Sequence, residues 1–274
     1  MVVGKRQSRP WIVSDELWSL IEPLLPVPAP KLVEGRPRVP DRQALCGILF
    51  VLHTGIQWEY LPQELGFGSG MTCWRRLAAW NEAGVWDRLH VLLLEKLRSK
   101  NQLDWSRAVI DSSHVRAARP GPKSGSSPVD RARPGSKHHL IVDGQGIPLA
   151  VSLTGGNRND ATQLEPLLDK ILAVAGRAGR PRRRPDALLA DRGYDHDKYR
   201  RLLWQRGIRP VIAKRGEPHG TGLGIFRYVV ERTIAWLHGF RRLRIRWERR
   251  DDIHEAFLGL AVCLITHRHV QRLC

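Results

Sequence analysis

Residues 108–111, Ala108-Val109-Ile110-Asp111, are a short apolar run that ends on a carboxylate. The pattern recurs at Ala187-Leu188-Leu189-Ala190-Asp191. Runs of this length read as buried strands, and an acid at a strand end can face a cleft beside the sheet. A third acid, Glu231, sits in the helical stretch Phe226-Arg227-Tyr228-Val229-Val230-Glu231-Arg232. Two strand ends and a helix can bring the three together. Clustered carboxylates repel unless a cation joins them, and a hard ion with oxygen ligands, such as Mg²⁺, suits the set.

Outward from these runs the chain alternates strands and helices. His139–Val142, the turn Asp143-Gly144-Gln145-Gly146 and Pro148–Leu153 read as a hairpin. A helix is expected from Ala161 to about Ala175, then the strand Leu188–Asp191, a helix Lys198–Arg206 and a strand Val211–Ala213. Long helices follow from about Gly224 to Phe240 and from Asp252 to Val270. This order predicts an α/β fold, a ribonuclease H-like catalytic domain with a mixed sheet flanked by helices, over 104–274. Arg116 to Lys137, rich in Arg, Pro, Gly and Ser, reads as an exposed basic loop that is disordered without DNA.

The first hundred residues read as helical. Ser14 can cap a helix that stops at Pro26, and an extended Pro-rich connector follows (Pro26, Pro28, Pro30, Pro37, Pro40). Asp41 is expected to cap a second helix, Ser69 or Thr72 to open a third, and Val85 a fourth reaching about Lys100. Short helices joined by Gly-bearing turns, with Trp74-Arg75-Arg76 on the third, suggest an all-helical, helix-turn-helix-like DNA-binding domain over 1–103. A plain bundle with tryptophans in its core is the alternative.

The 274-residue chain carries 45 Lys and Arg against 27 Asp and Glu, a net charge of +18. The basic residues bunch at 177–184 and 241–250, so a polyanionic partner is expected rather than a merely solvated surface. Cys46, Cys73, Cys263 and Cys274 show no paired spacing, which argues against a zinc ribbon or a disulfide framework. His267-x-His269 lacks a matching second pair. The opening Met1-Val2-Val3-Gly4-Lys5-Arg6 has no apolar signal core, and Ala256–Ile265 is too short to span a bilayer. A soluble, cytoplasmic, nucleoid-associated protein with no membrane partner is the expectation.

At about 100° per residue, Arg227, Glu231 and His238 fall in one narrow helical arc beside the apolar stripe of Phe226, Val230 and Leu237, so Glu231 should border the buried side. Arg227 could hold a phosphate or orient the glutamate. An ordinary i, i+4 surface pair explains its spacing equally well. Asp111 and Asp191 could likewise be plain turn caps.

These residues also carry a family resemblance. Trp11–Pro26, Gly55–Pro62, Asp111-Ser112-Ser113-His114-Val115-Arg116, Lys137–Leu140, Gly156–Asp160, Ala190–Asp195 and Arg227–Thr233 with the trailing Phe240–Leu243 are similar to blocks of bacterial insertion-sequence DDE transposases of the insertion-sequence-five-like group. The resemblance implies that Asp111, Asp191 and Glu231 are a catalytic triad binding Mg²⁺ or Mn²⁺, two ions per site. It implies binding of double-stranded DNA at the element's inverted ends, hydrolysis of the phosphodiester, and attack of the freed 3′-hydroxyl on target DNA. Two ends imply a homodimer or higher oligomer on DNA. The candidates for DNA contact are Arg75, Arg76, Lys137, Arg192, Arg227, His238, Arg241 and Arg242. The family's wider signature has Tyr and Lys where this chain has Gly224 and His238. A catalytically silent, transposase-derived DNA-binding protein and a nuclease without strand transfer remain the alternatives.

Overall fold

The computed structural model describes residues 9–28, 37–216 and 223–274; Met1–Arg6 and Pro30 of the connector lie outside them. The N-terminal part is helical, with α1 (Asp15–Ile21), α2 (Asp41–Thr54), α3 (Gly70–Glu82) and α4 (Val85–Ser99). Ser14 Oγ accepts from Leu17 N, and Ser69 Oγ from Thr72 N, as their cap positions require. Asp41 differs from expectation. It is the first helical residue, behind Pro40, and its carboxylate is spent on Arg76 and Arg38.

A seven-stranded mixed sheet follows, made of β1 (Ala108–Ala117), β2 (Gly125–Ser126), β3 (Pro134–Asp143), β4 (Pro148–Gly155), β5 (Ala187–Ala190), β6 (Arg209–Ile212) and β7 (Ile245–Arg246). β3 pairs antiparallel with β1 and β4, and β5 pairs parallel with β1 and β6. β7 joins the far end of β1. The helices are α5 (Leu164–Lys170), α6 (Asp197–Gln205), α7 (Leu223–Gly239), α8 (Arg241–Arg244) and α9 (Asp251–Leu273). This is the mixed sheet flanked by helices of a ribonuclease H-like fold. One apolar cluster runs from Val13 of the N-terminal part to Val270 of α9, so the helical part and the sheet share a core.

Three expectations change. α5 stops at Lys170 because Arg183 takes the carbonyls of Asp169 and Ile171, while Val174 and Arg182 bond to each other through their backbones. β1 is more than twice as long as its apolar run, because β3 pairs with it from Ala108 to Arg116. The segment 116–137 is therefore not one exposed loop. Arg116 and Ala117 belong to β1, Pro134–Lys137 to β3, and a buried arginine ties down what lies between. Arg246, fully buried, donates to the carbonyls of Pro122, Lys123, Glu248 and Arg249 and to Ser136 Oγ. Backbone carbonyls satisfied in this way no longer need water, which removes the main reason for the segment to stay open.

Buried histidines give the fold a pH signature. His90 Nε2 lies 2.9 Å from the Pro148 carbonyl and His139 Nε2 2.7 Å from Thr154 Oγ1. Burial drives both imidazoles down to about 4 from 6.5. Between those values the unfolded chain binds protons that the folded chain refuses, so stability is lost as pH falls through that window. Thermal melts should therefore show a midpoint that drops from pH 7 to pH 4.5, with a shallower drop in His90→Gln. A flat profile would contradict the assignment.

Candidate active site

The parallel rung Val109–Leu189 ties β1 to β5. Two residues past it on either strand stand Asp111 and Asp191, beyond the last rung of β5 with β1. Equal offsets from one rung place the acids at the same level, where the strands part. This is why each apolar run ends on its acid. Asp111 Oδ1 accepts from Ser112 N at 2.8 Å, and Asp191 Oδ1 accepts from Gly193 N at 2.8 Å. Each carboxylate thus spends one oxygen locally and keeps the other for the cleft.

α7 packs across β1, β3 and β5 and brings Arg227 to those oxygens. Its Nη2 donates to Asp111 Oδ2 at 3.2 Å and lies 4.0 Å from Asp191 Oδ2 and 3.8 Å from Glu231 Oε1. Glu231 is the outermost acid, its side chain 61% exposed against 19% for Asp111. The helical arc anticipated the neighbourhood of Arg227 and Glu231 but set the glutamate too deep, since Val229, Val230, Thr233 and Leu237 fill the buried side. Burial raises the Asp111 carboxyl above its ordinary value, Asp191 adds to the rise, and Ser112 N–H and Arg227 oppose it. Burial works against the charge of Arg227, but Asp111, Asp191 and Glu231 outweigh it and raise its pKa.

Two neighbours escaped the sequence reading. Tyr194 is buried with a hydroxyl that has no hydrogen-bond partner among the described residues. Burial, then the charges of Asp160, Asp111 and Asp191, lift it well above the usual phenol range, so it stays a donor. Its place three residues after Asp191 was the available signal. Ser113 Oγ lies 3.3 Å from His238 Nε2. Being two residues beyond Asp111 on a strand, it shares that acid's face.

The DNA-contact candidates divide. Arg75 and Arg241 are exposed, and Arg192 is half-buried beside Asp191. His238 is half-buried, and burial, then Arg244, lowers its pKa, which leaves it neutral and turned to Ser113. Three candidates are held by acids of the protein itself. Arg76 is paired with Asp41 at 2.6 Å. Lys137 is buried and donates to Asp160 Oδ1 and the Arg158 carbonyl. Arg242 is buried against Glu248, with a side chain 4% exposed. Each already has an acidic partner within the protein.

Among the described residues no three His, Cys, Asp or Glu side chains are grouped tightly enough to hold a metal ion as they stand. The donor chemistry nevertheless fits a hard divalent cation. The three acids offer oxygen only, and their free oxygens already surround one positive charge, the Arg227 guanidinium. No described helix is long and apolar enough to cross a membrane.

Residues 105–266 match the family described as "Transposase DDE domain", and residues 13–90 the one described as "Putative transposase of IS4/5 family". The chain is 60% identical over 151 residues to "Putative transposase for insertion sequence element IS402" of Burkholderia cepacia, a match spanning 55% of this chain and 72% of that protein. It is 59% identical over 119 residues to "Insertion element IS402 uncharacterized 16.2 kDa protein" of the same organism, across 43% of this chain and 81% of the other. Among solved structures, "Crystal structure of the Mos1 Strand Transfer Complex" aligns at 13% identity with a TM-score of 0.35, over 90% of this chain and 79% of that one.

Proposed function

Because the chain belongs to the bacterial insertion-sequence transposases with a DDE domain, we propose that it binds the inverted ends of its element, cleaves them by hydrolysis and joins the 3′-hydroxyls to target DNA. Nucleotidyl transfer is the chemistry of such a domain, and divalent metal use is general among them. The observation that carries the proposal is the convergence of Asp111, Asp191 and Glu231 on one point where two parallel strands part. A functional division near residue 103, with DNA reading in the helical part and chemistry in the rest, belongs to the same proposal.

Asp111, Asp191 and Glu231 would hold Mg²⁺ or Mn²⁺, two ions per site, which when bound polarise the phosphodiester and acidify the attacking water. The chain's own residues supply the rest. Ser112 N–H orients Asp111 toward the cleft, and Gly193 N–H does the same for Asp191. Tyr194 keeps a proton on its hydroxyl behind them. Arg227 can hold a non-bridging phosphate oxygen with the guanidinium that now donates to Asp111. Arg75, Arg192 and Arg241 would follow the DNA backbone, which fixes register without reading sequence. Two element ends call for at least two copies on DNA.

The test is the purified protein with Mg²⁺ and a plasmid carrying both element ends. Released 3′ ends and a joined product are expected. Sequence-specific binding with no cleavage would replace the proposal with the silent DNA-binding reading, and cleavage without joined product with the simple-nuclease reading.

A further inference from the structure

Arg227 stands where a cation would stand. An arginine four residues before a glutamate on a helix is commonly a weak surface pair. Here the glutamate is not the closest partner. The hydrogen bond goes to Asp111 on β1, and the same nitrogen lies within 4.0 Å of Asp191 beyond β5. One guanidinium therefore offsets part of the charge of three acids, one on β1, one just beyond β5 and one on its own helix. Without it Asp111, Asp191 and Glu231 would face one another as bare negative charges.

We propose that Arg227 is the resident counter-ion of the three acids and must leave before a divalent cation can enter, and that a DNA phosphate supplies the partner it leaves for. The inference rests on reading these acids as metal ligands. A guanidinium and a divalent ion cannot share the centre of the cluster, because like charges at such distances repel strongly. Arg227 is also free to move in a way that the buried arginines are not. Its side chain is 31% exposed, whereas that of Arg242 is 4% exposed and held by four hydrogen bonds. Arginine binds phosphate and carboxylate with the same planar group, so its hydrogen bond to Asp111 can be exchanged for one or two to a phosphate. The acids, relieved of their internal partner, would then recruit the metal. Metal binding and DNA binding become linked, and by reciprocity each strengthens the other. The device would keep the free protein short of metal and so unable to cut until DNA is seated.

Mn²⁺ binding read by electron paramagnetic resonance tests this without any catalysis. The full-length protein is titrated with Mn²⁺ alone and with a duplex oligonucleotide of arbitrary sequence. Wild type should bind Mn²⁺ about tenfold more tightly, or better, with the duplex present. Arg227→Gln should show that tighter binding already without DNA, and the duplex should add little. Unchanged Mn²⁺ affinity in wild type on adding duplex would overturn the inference, and so would an Arg227→Gln protein that binds no better than wild type. If the variant does not fold, the wild-type pair of titrations still decides. Asp111→Asn separates the two levels. Weakened Mn²⁺ binding in Asp111→Asn with no effect of Arg227 or DNA removes only the counter-ion role. Undiminished Mn²⁺ binding in Asp111→Asn removes the metal-ligand reading and this inference with it.

Discussion

Asp111→Asn is expected to lower metal-dependent cleavage roughly a thousandfold or more, as happens when one member of a unit that acts together is removed. The change is close to isosteric. The amide oxygen of Asn can still accept from Ser112 N–H, so β1 keeps its shape at this position. What disappears is the charge at the deepest of the three acids and the oxygen that Arg227 now grips. Melting temperature should stay close to that of the wild type, which separates lost chemistry from lost fold. The measurement is the initial rate of end cleavage in Mg²⁺, and activity within tenfold of wild type would remove Asp111 from the catalytic set.

Arg242→Ala should cost about 3–5 kcal/mol of stability, because it strands a buried carboxylate. Arg242 Nε and Nη2 donate to Glu248 Oε1 at 2.8 and 2.5 Å, and Nη1 donates to the carbonyls of Ile56 and Gly55. Removing it leaves Glu248, among the described residues, with His254 Nδ1 at 3.5 Å and leaves the carbonyls just past α2 short of a donor. In a chain of this size such a loss lowers the melting temperature by about 10 °C. The double variant Arg242→Ala, Glu248→Ala should recover part of the loss, since the stranded charge is gone. A single variant that melts with the wild type would mean that the pair is spent on something other than stability.

The parts of this architecture that could be read in advance are those that local pattern encodes. The apolar runs before Asp111 and Asp191 mark the stretch where β1 pairs with β5, because strands buried there must be apolar; β5 ends at its acid, whereas β1 runs on through Asp111 to Ala117. The spacing of Arg227 and Glu231 marks a shared helix face. Pairings between distant residues were not legible. Lys137 and Arg242 sit among other basic residues, and nothing local distinguishes them from solvated ones. Their burial depends on Asp160 and Glu248, which the fold brings into reach. The second half of β1 is polar, so only its register with β3 reveals it as strand. Likewise, one buried arginine, Arg246, brings order to a Gly- and Pro-rich segment that reads as open.

β1 has a consequence for how the molecule comes into being. Its neighbours are all made after it: β3 first, then β5 from Ala187, and finally β7 from Ile245. Contacts between such remote stretches form late and slowly, because loop closure must be complete before they stabilise anything. While the chain is synthesised, β1 and β3 can zip into a ribbon, but the rung that levels Asp111 with Asp191 waits for β5. Arg227 and Glu231 arrive later still, and β7 closes the far end last. The candidate site is therefore among the later parts to assemble, and a half-made chain carries strands but not the full set of acids.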